Sequence, residues 1–182
     1  MKILITGASG AGTSTLGEAI HDHLCFEHLD VDDYYWKKTD PPFQKKVPVE
    51  IRKRNFLNDF KRYEKVIISG SLVSWGREWL SAFDLVAFIT IEPSIRMKRL
   101  ENRELERYGS QLQTDPVIQK TSKEFLAWAR KYDDPLFEGR SITMHRNWIN
   151  QLSCPVLTID GTISLDTKID MLTSKVASLS TS

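Results

Sequence analysis

Six residues, Gly7-Ala-Ser-Gly-Ala-Gly12, constrain this chain more than any other segment. They stand between a short apolar run, Ile3-Leu-Ile5, and a helical pattern that puts Leu16, Ala19, Ile20 and Leu24 on one face. A strand that meets glycines and then at once a helix has few structural solutions. Glycine tolerates positive φ and carries no side chain, so consecutive backbone N–H groups can curl around one anion. The N-terminus of the next helix adds favourable partial charge at the same place. The spacing from Gly7 to Gly12, with a hydroxyl at Ser14, is that of a phosphate-binding loop and not of the G-x-G-x-x-G dinucleotide turn. Under this reading Gly7, Ala8, Ser9, Gly10, Ala11, Gly12, Thr13, Ser14 and Thr15 hold the tail of a nucleoside triphosphate. Ser14 then faces a magnesium ion bridging the terminal phosphates.

The rest of the chain repeats the alternation of strand and helix. Phe26 to Asp30, Lys65 to Ser69, Leu85 to Ile91 and Pro155 to Ile159 read as further short strands. Helical patterns are expected over Val49–Phe60, Ser94–Arg107, about Ile118–Tyr132, about Ser141–Leu152 and about Asp166–Ser178, with a short helical piece between Leu72 and Phe83. Tyr34 to Pro48 reads as a long surface loop, and Ser110 to Asp115 as a polar, mobile one. Such alternation implies right-handed crossovers and a three-layer α/β/α fold with a five-stranded parallel sheet. Ligands in such sheets bind at the carboxyl ends of the strands. Gly7–Gly12, Asp30-Val-Asp-Asp33 and Ser69-Gly-Ser71 all fall there.

The chain of 182 residues suits a single domain, 1–182, with 25 basic against 24 acidic residues and a formal charge of +1. That balance gives no field for a long polyanion, so nucleic acid is excluded as the main partner. Neither Cys25 nor Cys154 lies in a metal-binding or redox spacing, and the N-terminal apolar run is too short for a signal core or a membrane span. A cytoplasmic monomer with no membrane partner is the expectation.

One position breaks the loop pattern. Where it asks for lysine the chain has Thr13, so the cation for the terminal phosphates must come from elsewhere or transfer must be weak. With this in view, Gly7-Ala-Ser-Gly-Ala-Gly-Thr-Ser-Thr15 resembles the loops of the small P-loop kinases: adenylate, cytidylate, shikimate and gluconate kinases. Some cytidylate kinases of that group also carry threonine here. The resemblance implies an ATP-dependent phosphotransferase, with Mg2+, that moves the γ-phosphoryl group to a nucleoside monophosphate or a hydroxylated metabolite. The alternative is a nucleotide-binding switch or scaffold that transfers little, which Thr13 motivates.

Three carboxylates within four residues, at Asp30, Asp32 and Asp33, raise one another's pKa unless a cation or hydrogen bonds intervene. They resemble the D-x-D of shikimate and gluconate kinases, which implies metal support by Asp30 and acceptor binding or deprotonation by Asp32, with Asp33 nearby. Read without the resemblance, Asp33 suits a helix N-cap. Arg96, Arg99, Arg103 and Arg107 stack along one helix, where like charges need acidic partners. Arg96 and Arg107 read as a solvated face neutralised by Glu101, Glu104 and Glu106. Arg99 and Arg103 resemble the arginine pair that opens the LID of adenylate kinase-like enzymes, which implies a short LID near 103–120, Arg99 on the base and Arg103 on the phosphates. Arg103 is then the natural source of the missing cation. Gly70, Ser71 and Arg77 stand where related kinases hold the acceptor, and Arg140 is a comparable candidate. Asp160-Gly161-Thr162 resembles the loop that contacts adenine through its backbone. Tyr34, Tyr35 and Trp36 could stack a base or sugar, although packing is the commoner fate. Trp128, Tyr132 and Trp148 read as core, and His21, His23, His28 and His145 show no metal spacing.

Overall fold

A computed structural model describes residues 1–180. Five parallel strands, β1 (Lys2–Gly7), β2 (Glu27–Asp30), β3 (Val66–Ser69), β4 (Leu85–Thr90) and β5 (Val156–Asp160), lie in the order β2-β3-β1-β4-β5. β1 is central: Ile3 pairs in register with Ile67 of β3 on one side and Leu85 of β4 on the other. The connections therefore diverge around β1, and the glycine loop emerges where a crevice opens at the carboxyl edge.

Among the described residues eight α-helices complete the layers: α1 (Thr13–Leu24), α2 (Val31–Tyr35), α3 (Val49–Arg62), α4 (Pro93–Tyr108), α5 (Gln111–Thr114), α6 (Pro116–Arg130), α7 (Ile142–Ile149) and α8 (Leu165–Ser180). Side chains alternate across the pleat, so each strand feeds both layers. Ile3 and Ile5 join Ile67, Leu85, Ala87 and Ile89 under Leu16 and Ile20 of α1 and Leu172 and Val176 of α8. Leu4, Ile68 and Val86 turn the other way, onto Phe56 and Phe60 of α3, Trp75, Trp79, Phe83 and Trp148 of α7. One layer is aliphatic and the other aromatic. Edge-to-face pairs such as Phe60 with Trp79, 5.1 Å between centroids, join the aromatic layer. A smaller cluster of Met97, Leu100 and Ala129 holds α4 to α6.

Four local expectations change. The segment from Tyr34 to Pro48 starts inside α2, because the Asp30 carboxylate accepts from the Asp32 N–H at 2.8 Å and caps that turn. Asp30, not Asp33, is the cap: its position at the end of β2 gives it the extended backbone a cap needs. The loop's remainder folds back on itself, with Lys37 N–H donating to Lys45 O and Val47 N–H to Tyr35 O. Ser110 to Asp115 is a helical turn, α5, held by N–H donation from Gln113 and Thr114 to Ser110 O. Between Leu72 and Phe83 only a 3-10 turn forms, Arg77–Ser81, which seats Trp79 in the aromatic layer. Among the described residues, no helix is long and apolar enough to cross a membrane.

Candidate active site

The loop between β1 and α1 has the backbone that its glycines allow. Gly10 has φ +85° and Gly12 φ +94°, both left-handed. A Cβ on Gly10 would stand 2.9 Å from Leu100 Cγ and 3.1 Å from the Arg96 carbonyl, so α4 packs directly against the loop. Gly12 has open space around it and is glycine for its backbone alone. As the residue before α1, Gly12 offers no side-chain cap, and the first N–H groups of that helix are left to a ligand. Ser14 is half-buried on the first turn. This arrangement fits a phosphate chain.

Across from it stands Asp32, on α2. Its side chain reaches solvent, yet desolvation pushes its carboxyl pKa up, and Asp30 adds to the rise. Two cations restrain the shift, Arg140 more than Arg103. Arg140, in the segment between α6 and α7, donates from Nη2 to Ser9 Oγ at 2.6 Å, and its guanidinium lies 4.8 Å over the Trp128 ring. Its Nε is buried and has no partner. Arg103, on α4, is open to solvent and rests 5.8 Å from the Phe125 ring centroid. The structure thus brings together Ser9, Asp32, Arg103 and Arg140 from four separate stretches of chain.

Arg99 goes elsewhere. Its Nη2 donates to Gly161 O at 3.1 Å, beside Lys168 Nζ, which donates to the same carbonyl at 2.9 Å. The Asp160 carboxylate accepts from Thr162 N–H and hydroxyl at 2.8 and 2.7 Å, closing the turn after β5. Arg99, Gly161 and Thr162 therefore share one place.

Several expected acceptor residues serve the fold. Gly70, φ +117°, would drive a Cβ to within 2.8 Å of Val31 Cβ; its glycine lets α2 sit against β3. Ser71 is buried and 3.1 Å from His145 Nε2, whose Nδ1 lies 3.1 Å from the Tyr132 hydroxyl. Burial pushes the His145 pKa down to about 4, with Arg140 adding to the shift. Asp30 is doubly engaged, its second oxygen accepting from Ser69 Oγ at 2.8 Å. Asp33 lines a separate groove between α2 and α3 with Tyr34, Asn55 and Asp59. Arg77 is exposed and makes no hydrogen bond or ion pair among the described residues. Tyr34 is a packing residue, edge-on to Phe56 and bonded to Asp59 at 2.7 Å.

Two arginines depart from expectation. Arg96 is not solvated: it is 1% exposed and pairs with Asp133 at 2.6 Å. Arg96, Leu100, Glu104 and Tyr108 are all buried, four residues apart, so they form the inner stripe of α4. Arg107 is neutralised by Glu104 at 3.1 Å, as its spacing suggests, and also covers the Phe43 ring at 4.4 Å. Arg52 of α3 was not foreseen at all. It stacks 4.1 Å over Tyr35 and 5.4 Å from the Trp75 centroid, with a buried, unpartnered Nε. Its signal was there, in the four-residue step Arg52, Phe56, Phe60 along one face.

The loop, the central β1 and the parallel order define a P-loop domain. Residues 3–124 match the family described as the AAA domain, and the chain belongs to that family. It is 41% identical to the uncharacterized protein YqaC of Bacillus subtilis (strain 168), over 97% of this chain and 98% of that one. The fold is shared with a shikimate kinase from Bacteroides thetaiotaomicron (TM-score 0.60, 18% identity, 97% and 98% covered). It is shared equally with a deoxyadenosine kinase from M. mycoides with bound dATP (TM-score 0.60, 17% identity, 97% and 100% covered).

Proposed function

We propose that this chain is an ATP-dependent phosphotransferase whose acceptor is a small hydroxylated molecule. The observation that carries the reading is Asp32: an accessible carboxylate of raised pKa, between Arg103 and Arg140, facing a loop built for phosphate. A monophosphate acceptor needs no base, and the Asp32 charge would repel it. A hydroxyl acceptor needs what Asp32 offers, a proton acceptor whose pKa is moved toward neutrality. The kinases that share the fold support the reaction class.

In this reading the loop N–H groups hold the phosphates, and a magnesium ion, which would supply charge neutralisation, would be held by Ser14 and, through a lone pair left by its bonds to Asp32 N–H and Ser69, by Asp30. The acceptor oxygen bonds to the γ-phosphorus while the bond to the β–γ bridging oxygen breaks. ADP leaves, and the hydroxyl proton passes to Asp32. Arg103, from the LID-like segment, meets the charge that develops on the transferring group. Arg99 lies against the base beside Gly161 and Thr162. Thr13 favours the second reading, a nucleotide-binding switch without transfer. Purified protein with ATP-Mg and a panel of nucleosides, polyols and hydroxy acids separates the two. Acceptor-dependent ADP release supports the transferase, and ATP binding without it supports the switch.

A further inference from the structure

The loop lacks lysine, and a cation from 131 residues away touches it. We propose that Arg140 is the fixed positive charge of the phosphate loop, taking the part that Thr13 cannot; the proposal rests on the phosphotransferase reading above.

Position comes first. Arg140 Nη2 donates to Ser9 Oγ at 2.6 Å, so the guanidinium is docked on the loop itself. Arg103 is also partly desolvated but makes no bond to the loop, which suits a group that arrives with the reaction rather than one that waits. Rigidity comes next. The Trp128 face fixes the guanidinium plane, and α6 carries that ring on the element joined to the LID-like segment. The third point is charge. The guanidinium is desolvated, opposed by Arg96 and balanced mainly by Asp32. A desolvated guanidinium binds an oxyanion strongly, because the bond is charge-assisted and water screens it little. A planar fork also accepts two phosphate oxygens at once, where lysine offers a point charge. The ligand class is the polyphosphate tail itself, independent of base and sugar.

The test is equilibrium binding without an acceptor, using β,γ-imido-ATP, inorganic tripolyphosphate and adenosine as probes. Variants are Arg140→Gln, Arg140→Lys, Thr13→Lys and the double Thr13→Lys/Arg140→Gln, each checked for folding by thermal melting. Arg140→Gln keeps a donor for Ser9 and removes only the charge. The expected result is about tenfold or greater weakening of the nucleotide and of tripolyphosphate, with adenosine unchanged. Arg140→Lys should fall between wild type and Arg140→Gln, keeping the charge but not the fork, and Thr13→Lys should restore affinity in the double variant. The proposal is overturned if Arg140→Gln leaves both phosphate ligands within about twofold of wild type, a change too small for a lost charged contact. It is equally overturned if Thr13→Lys restores nothing. In either case acceptor-dependent turnover by the wild type would leave the phosphotransferase reading standing, whereas absence of both turnover and nucleotide binding in the wild type would remove both.

Discussion

On one side of the proposed site the candidate binding groups are backbone N–H groups from consecutive residues, Gly7 to Thr15; on the other they are side chains from α2, α4 and the segment before α7. The first side is local. Its geometry comes from two left-handed glycines and a helix start, so it forms wherever β1 and α1 form. The second side exists only when three distant segments have packed, and charge balance tunes it: Asp32 is raised by burial and Asp30, then restrained by Arg140 and Arg103. A loop of this kind tolerates changes of side chain but not of backbone, and the opposite holds across from it.

The sharpest break of that contrast is Asp32→Asn. Acceptor-dependent kcat should fall by about a thousandfold, within the usual range for a lost general base, while ATP affinity stays near wild type. Steady-state kinetics beside equilibrium binding would check it, and a matching loss of ATP affinity would put Asp32 on the wrong side.

The second effect concerns the packing that hangs the side-chain wall in place. His145 is neutral when folded, its pKa held at about 4 against an ordinary 6.5. A depressed folded pKa means that stability is complete above pH 6.5. It is lost as pH falls from there toward 4, because only the unfolded chain takes up the proton. The loss should approach ~3 kcal/mol. Denaturant midpoints at pH 7 and pH 4.5 read it, and His145→Gln should flatten the dependence.

Arg103→Ala comes third. It should lower kcat by about a hundredfold with little change in ATP affinity, which separates a transition-state cation from one that waits in the loop. The smallest effects are on the backbone side. Gly10→Ala meets Leu100 as well as its own φ, and should cost about 2 kcal/mol of stability; Gly12→Ala, with open space, should cost about 1 kcal/mol. If Gly12→Ala were the worse of the two, α4 would not be braced on the loop as described.

The two sides were also unequally legible in the sequence. The loop could be read from spacing because its geometry is written in contiguous residues. Strands β1, β3 and β4 were equally plain from their apolar runs, whereas β2, Glu27-His-Leu-Asp30, has one apolar residue and was legible mainly from its place in the alternation. The side-chain wall was readable only as a set of candidates. Asp32, Arg103 and Arg140 could be named, but the bond from Arg140 to Ser9 depends on where a long excursion of chain returns. Arg96 was misread because its partner Asp133 lies 37 residues on, beyond any helical spacing. Ser71 and Gly70 looked like ligand contacts because their places at the end of β3 suggest it, yet His145 and Val31 account for both. Arg52 could have been found, since an arginine on the same face as Phe56 and Phe60 must bury its shaft against something.

The most direct measurement of the central claim is ADP release from ATP-Mg, with and without each acceptor of a panel holding nucleosides, nucleoside monophosphates, polyols and hydroxy acids, with Asp32→Asn run alongside. The account predicts release that depends on a hydroxylated acceptor and disappears in the Asp32 variant. Release that depends on a nucleoside monophosphate and survives Asp32→Asn, or no stimulation by any acceptor while ATP binds, would contradict it.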